Sequence, residues 1–235
     1  MFEIAVVIDA LRFTTTASQA LHAGATQIRT ASEVDVARSL AQQVRPALLC
    51  GERECRRIDG FDLGNSPWEY TPDAVDGRSL IFSTTNGTRA VAAGQCAAQV
   101  ALGSFVNRRA IAEWLARRLA ANSQRQQAIL ICAGTDGLVA MEDVLAAGAI
   151  LDSSTSLEPN GDAASLALTA WLAIRQHSVE QTREQLLKRF ESCLGGANLI
   201  ATGFQRDLQF AADLDSLDTI PASSAQQDVF LRASD

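Results

Sequence analysis

Short apolar runs alternate along the chain with longer segments in which apolar positions recur every three or four residues. Ile4–Ile8 reads as a buried strand, and a helix over Thr14–Ala23 follows it and ends at Gly24. Thr26–Thr30 is a short strand. Ser32 caps a helix through Gln43, with Glu33 and Asp35 in the first turn, where carboxylates complement the helix dipole. Ala47–Cys50 is the next strand. Residues 51–77 are rich in Gly, Pro, Asp and Asn and hold no long periodic segment. So long an irregular stretch inside a domain is often functional.

Strands resume at Leu80–Ser83 and Gln99–Leu102, with a helix from about Thr88 between them. Val106–Ala121 is a helix with Ile111, Leu115 and Leu119 on one face. Ala128–Cys132 is a strand and Met141–Leu151 a helix. After a polar break at Asp152–Gly161 the pattern turns helical over Ala163–Gln176, Val179–Phe190 and Gly203–Ala212. The alternation predicts a three-layer α/β fold with a largely parallel or mixed sheet covered by helices. It predicts one domain over residues 1–221 and a polar C-terminal tail over 222–235. The helical stretch near the C-terminus is a candidate homodimer interface.

Composition narrows the function. The chain has 235 residues, 47% of them hydrophobic, and a net charge of −7. Such an acidic protein lacks the positive footprint of a nucleic-acid binder, although a local arginine cluster can still attract a small anion. Five cysteines, an odd number with no secretory leader before the first strand, point to a reducing cytoplasm rather than a disulfide framework. No apolar run approaches the roughly 18 residues of a membrane span. His22 and His177 are the only histidines and neither neighbours a cysteine cluster, which argues against zinc.

Three segments share one design: an apolar strand, then polar residues, then a helix start. If their strands are parallel, their loops meet beyond one sheet edge, the usual ligand site of open α/β sheets. In the first, Asp9 ends a strand and Arg12 precedes Thr14-Thr15-Thr16. Asp9 suits a hard cation such as Mg²⁺, and Arg12 suits a phosphate or carboxylate, but an Asp–Arg ion pair with threonine caps reads equally well. In the second, Ser83-Thr84-Thr85-Asn86-Gly87-Thr88-Arg89 places hydroxyls, a glycine and an arginine at a helix start, which is an anion site or a capped turn. In the third, Glu142-Asp143 follows Gly134-Thr135-Asp136-Gly137 at a helix start. That pair serves metal or water activation, or simply favours the helix dipole. Glu52 and Arg53 also follow a strand, while Asp62 and Asn65 are turn formers or site residues.

Known phosphate chemistries are a poor match. Cys50 and Arg56 have a Cys-x₅-Arg spacing, yet Glu52 and Glu54 between them would repel a phosphate and raise the thiol pKa. An aspartyl-phosphate loop of the haloacid-dehalogenase type needs a second Asp at position 11, which is Leu. No Walker motif and no G-x-G-x-x-G follows a strand.

VVIDALRFTTT, GER, GFDLGNSPWEYT, STTNGTRA, GSFVNRRA, CAGTDG with MEDVLAAGAI, and NLIATGFQRDLQFAADLDSLDTIP occur in that order over residues 5–221. Together they resemble the 2-phosphosulfolactate phosphatase family. The resemblance implies a family-specific α/β phosphatase fold and a cytoplasmic, Mg²⁺-dependent enzyme of coenzyme M biosynthesis. Its substrate would be a small anionic phosphate ester, 2-phospho-3-sulfolactate or a related 2-phospho acid, with no nucleic-acid or membrane partner. It implies catalytic roles for Asp9, Glu52 and Asp143, and metal contacts from Asp9, Glu142 and Asp143. Arg12, Arg53, Asn65, Thr85, Asn86 and Arg89 would bind substrate. One departure from the family is Glu54-Cys55, where relatives carry a glycine pair.

Overall fold

Five consecutive apolar residues without polar alternation suit a strand covered on both faces, and Ile4–Ile8 forms such a strand, β1, buried throughout. The computed structural model of the chain describes residues 2–121, 127–223 and 228–233. Further strands are β2 (Gln27–Thr30), β3 (Ala47–Arg53), β4 (Arg56–Arg57), β5 (Ser79–Ser83), β6 (Gln99–Gly103), β7 (Ala128–Cys132), β8 (Pro221–Ser223) and β9 (Val229–Arg232). The helices are α1 (Phe13–His22), α2 (Val34–Gln43), α3 (Pro72–Val75), α4 (Gly87–Gly94), α5 (Arg108–Ala120), α6 (Met141–Asp152), α7 (Asp162–Leu172), α8 (Val179–Ser192), α9 (Leu194–Ala201) and α10 (Gln205–Ala211).

The strands form one mixed sheet in the order β4-β3-β5-β2-β9-β8-β6-β1-β7. It holds two parallel blocks. In one, β1 lies between β6 and β7 with Ile8 opposite Gly103 and Cys132. In the other, β5 lies between β2 and β3 with Cys50 opposite Phe82. The hairpin β8–β9 joins them through three antiparallel pairings, so the blocks run in opposite directions along the sheet. The first and third chemical segments therefore share a parallel edge, whereas the second leaves a strand of the other block.

The packing of α1 and α4 brings them together. Helix α1 packs against β2, β6, β8 and β9, and α4, which leaves β5, packs on β1 and β7. One apolar cluster joins Val7, Val100 and Leu102 to Ile28, Leu80 and Phe82 around Phe13. Phe13 meets Phe82 edge-on with ring centroids 5.4 Å apart. The alternate residues Ile4, Val6 and Ile8 face the other way, into a cluster with residues of α5 to α10. Ile81 likewise faces outward, onto Ala37 of α2. These inner and outer clusters make the three layers.

The C-terminal hairpin and α9 depart from the pattern. Residues 222 and beyond were expected as a polar tail, yet β8 and β9 occupy the middle of the sheet and Phe230 is fully buried. Strands of three and four residues carry too little periodicity to be read, and their place is set by backbone pairing. Helix α9 was also missed, because Gly195 and Gly196 open it and glycine is a poor helix former. Those glycines serve packing: a side chain at 195 would overlap the Glu142 carboxylate, and one at 196 the Phe190 carbonyl. All five cysteines are free.

If the β8–β9 hairpin is part of the core, Phe230→Ala should destabilise the fold by about 3–5 kcal/mol in urea unfolding. A tail outside the fold would give a change within about 0.5 kcal/mol.

Candidate functional site

Beyond the carboxyl end of β1 the chain turns at Asp9 into α1. The turn is closed by Thr14, whose amide and hydroxyl both donate to the Asp9 carbonyl, at 3.0 and 2.9 Å. The side chain of Asp9 is buried, with the Phe13 N–H donating to it. Three further carboxylates surround it.

Asp143, in the first turn of α6, uses one oxygen to accept the Ala10 N–H and the other to accept the Gly134 N–H, each at 2.9 Å. It thereby ties α6, the β7–α6 loop and the start of α1 together. Glu52 has the same design on the other side. One oxygen accepts the Cys55 N–H and the other the Thr85 N–H, each at 2.9 Å. The first bond requires the turn after β3 to fold back sharply. Glu54 and Cys55 adopt left-handed φ values of 52° and 63°. For residues with a Cβ that conformation costs roughly 1–2 kcal/mol each.

Glu142 is only 2% exposed, and one of its oxygens has no hydrogen-bond partner. Asn65 Oδ1, Thr85 Oγ1 and Asn86 Oδ1 are also buried without partners. Unsatisfied buried oxygens are rare in folded proteins, and four of them on segments named for chemistry mark a place where something else belongs. Gly87, at the start of α4, closes the arrangement. A methyl there would fall 2.6 Å from an Asp9 carboxylate oxygen and 2.6 Å from Phe13, so this position takes no side chain.

Crowding shifts the acids. Burial, followed by the negative charge of Glu52, pushes the Asp9 carboxyl up to about 7. Burial and then Asp9 raise Asp143 well above the usual carboxylate range. Among the described residues no three acidic, histidine or cysteine side chains stand close enough to chelate an ion alone. The unpartnered donors are all oxygen, which suits a hard divalent cation completed by water and phosphate and does not suit zinc.

The arginines separate. Arg12 is buried and committed: Nη1 donates to Asp207 at 2.7 Å and Nη2 to the Cys55 carbonyl at 2.9 Å. Its guanidinium lies 4.4 Å from the Phe204 ring centroid. Arg53 donates to the Glu52 carbonyl, the Ser32 carbonyl and Ser83 Oγ, clamping the ends of β3 and β5. Arg89 is exposed on the first turn of α4. Asp62 is a turn former, accepting the Leu49 N–H at 2.8 Å. Ser66 reads from the sequence as an N-cap ahead of Pro67, yet its hydroxyl donates to Asp207 instead, and nothing in the local sequence of Asp207 marks partners more than 100 positions away.

Two depressions lie elsewhere. One of about 780 Å³, lined by Arg38, Arg45 and Pro46, sits at the amino end of β3, opposite Glu52. Another of about 250 Å³ is lined by Arg108, Arg175 and His177. Its guanidinia are already paired with Asp215 and Asp152. Cys50 is fully buried and its thiol is raised by burial, while Arg56 is exposed, so they form no cysteine phosphatase loop.

The order of these pieces along the chain matches a family model described as 2-phosphosulpholactate phosphatase over residues 1–226. The chain belongs to this family. A relative from Deinococcus radiodurans is 36% identical over 230 residues, covering 97% of this chain and 90% of its own length. Relatives from Microcystis aeruginosa and Thermotoga maritima are each 35% identical over 93% of this chain and 88% of their own. All three are named probable 2-phosphosulfolactate phosphatase. No helix among the described residues is long and apolar enough to cross a membrane.

The raised acids make stability pH-dependent. In the folded chain Asp9 holds its proton up to about pH 7, whereas in the unfolded chain it titrates near 3.8. Its stabilising contribution is therefore complete below about pH 4 and lost as pH rises through about 7. Protein kept in a chelator should lose on the order of 2–4 kcal/mol of unfolding free energy between pH 5 and pH 8. Asp9→Asn should flatten that slope, and a slope unchanged by the substitution would show that Asp9 is not the group responsible.

Proposed function

We propose that this chain is a Mg²⁺-assisted phosphatase that converts 2-phospho-3-sulfolactate, or a closely related 2-phospho acid, into the 2-hydroxy acid and phosphate. Membership of the family supports the reaction class, and the names of the relatives support the substrate. The observation that carries the reading is the buried, raised carboxyl of Asp9 together with four buried oxygens, on Glu142, Asn65, Thr85 and Asn86, that have no partner within the protein.

Asp9 and Glu142 would hold the ion, with the neutral oxygens of Asn65, Thr85 or Asn86 available to it or to its waters. One or two carboxylates with water and substrate phosphate are the usual surroundings of Mg²⁺. When bound, the ion neutralises charge on the transferring phosphoryl group. Glu52 and Asp143 act differently from Glu142: each spends both oxygens on backbone amides, so their work is to fix the walls of the site. The start of α4 offers its positive dipole end to the phosphate, and the missing side chain at Gly87 lets Asp9 and Phe13 pack against that turn. A buried asparagine amide can be turned to offer N–H₂ or oxygen, so Asn65 and Asn86 can contact either phosphate or the ion.

A substrate with phosphate, carboxylate and sulfonate needs cationic partners. Arg12 and Arg53 are already engaged within the protein, which leaves Arg89 of the three candidates to meet the carboxylate or sulfonate. Its planar fork binds two oxygens of one group at once.

Phosphate release from 2-phospho-3-sulfolactate with and without Mg²⁺ tests the reading. Turnover is expected with the ion and should be abolished by chelation; tight binding with no phosphate released would instead identify a non-catalytic binder. Glu142→Gln should lower kcat by about 100-fold or more, the scale of losing a charged contact to the reacting group. Arg89→Lys should reduce the preference for phosphosulfolactate over phospholactate about tenfold in kcat/KM, with Tm nearly unchanged. An unaltered ratio would remove Arg89 from substrate recognition.

A further inference from the structure

Asp207 lies on the first turn of α10, far in sequence from every residue given a role above. It is 2% exposed and its two oxygens are used separately. One accepts Arg12 Nη1 at 2.7 Å and the other accepts Ser66 Oγ at 2.7 Å. The Arg12 and Asp207 side chains are 3% and 2% exposed, so each charge depends on the other for compensation.

The contact does not stop at Arg12. Arg12 Nη2 donates to the Cys55 carbonyl, and the Cys55 N–H donates to Glu52 Oε2. Glu52 Oε1 accepts the Thr85 N–H. A continuous chain of hydrogen bonds thus runs from α10 through the β3–β4 turn to the Thr85-Asn86 loop ahead of α4. The turn it crosses is held in left-handed backbone at Glu54 and Cys55, a conformation that persists only where its surroundings enforce it.

We infer that Asp207 is a positioning residue: by fixing Arg12 and, through the Cys55 backbone, Glu52, it sets the Thr85-Asn86 loop that receives the phosphoryl group. The inference rests on the proposed phosphatase reading for its kinetic consequence, but not for its structural one. A displacement of about 1 Å in such a loop can cost on the order of 100-fold in rate, because the transferring group is then misaligned. Substrate affinity should change little, since Asp207 itself contacts no substrate.

The test compares Asp207→Asn with wild type by amide hydrogen exchange and by kinetics. Ser66→Ala is the gentler second variant, since it keeps the ion pair and loosens one oxygen. Exchange at Cys55 and Thr85, the amides held by Glu52, should accelerate at least tenfold in Asp207→Asn. Ala10 and Gly134, the amides held by Asp143, should stay within twofold. kcat should fall ten- to a hundredfold with KM within threefold, and Ser66→Ala should show the same pattern in smaller measure. Asp215→Asn, which breaks another ion pair of low exposure at Arg108, should leave kcat within twofold. Equal acceleration at all four amides, or none, would reduce Asp207 to a general stabiliser and overturn the inference. So would unchanged kcat in a folded Asp207→Asn. Should wild type release no phosphate at all, the phosphatase reading fails, and the exchange pattern alone decides the role of Asp207.

Discussion

A carboxylate taken out of water needs donors for its oxygens or a compensating positive charge, and the site of this protein is arranged around how Asp9, Glu52, Glu142 and Asp143 meet that need. Glu52 and Asp143 meet it from the backbone, each gripping two amides from separate segments. Glu142 keeps one oxygen without a partner, and Asp9 is buried beside other carboxylates with its pKa raised. The cost of that shortfall is visible in the raised carboxyl of Asp9. On the proposed reading, a bound cation would relieve that cost and so stabilise the folded chain.

The backbone has to make this possible. The two parallel blocks of the sheet run in opposite senses, and the packing of α4, which follows β5, onto β1 brings the loop after β5 to the loop after β1. Gly87 permits the approach by having no side chain, and the Glu52 and Asp143 bonds then fasten it. Arg12 sits at the junction, with its charge matched by Asp207 rather than left free for a substrate. In this view the threonines of α1 are structural: Thr14 and Thr15 hydroxyls bond the carbonyls of Asp9 and Ala10, and Thr16 bonds the Asn65 carbonyl.

Much of this was legible in the amino-acid pattern. The apolar runs that became β1, β5 and β6 are continuous because both faces of those strands are covered, and that signal is strong at five residues. The segments carrying Asp9, Glu52, Thr85-Asn86 and Glu142-Asp143 could be singled out because each follows such a strand. What could not be read was direction. Parallel strands were the simple route to a shared edge, whereas the actual route depends on a short hairpin at the C-terminus with almost no periodicity of its own. Nor could the pattern separate the engaged arginines from the exposed one, since Asp207 and Cys55 reach Arg12 only through tertiary structure. Glu142 and Asp143, adjacent in sequence, point at different partners for the same reason.

The central claim is that Asp9 and Glu142 form an incomplete oxygen site that a hard divalent cation completes. Calorimetric titration of the chelator-stripped protein with Mn²⁺, run near pH 6 in two buffers of different ionisation enthalpy, tests it directly. The account predicts one ion per chain and release of protons as the raised carboxyl of Asp9 gives up its hydrogen. Asp9→Asn and Glu142→Gln should each weaken binding by at least tenfold. Binding with no buffer dependence and equal affinity in both variants would place the ion elsewhere and contradict the account.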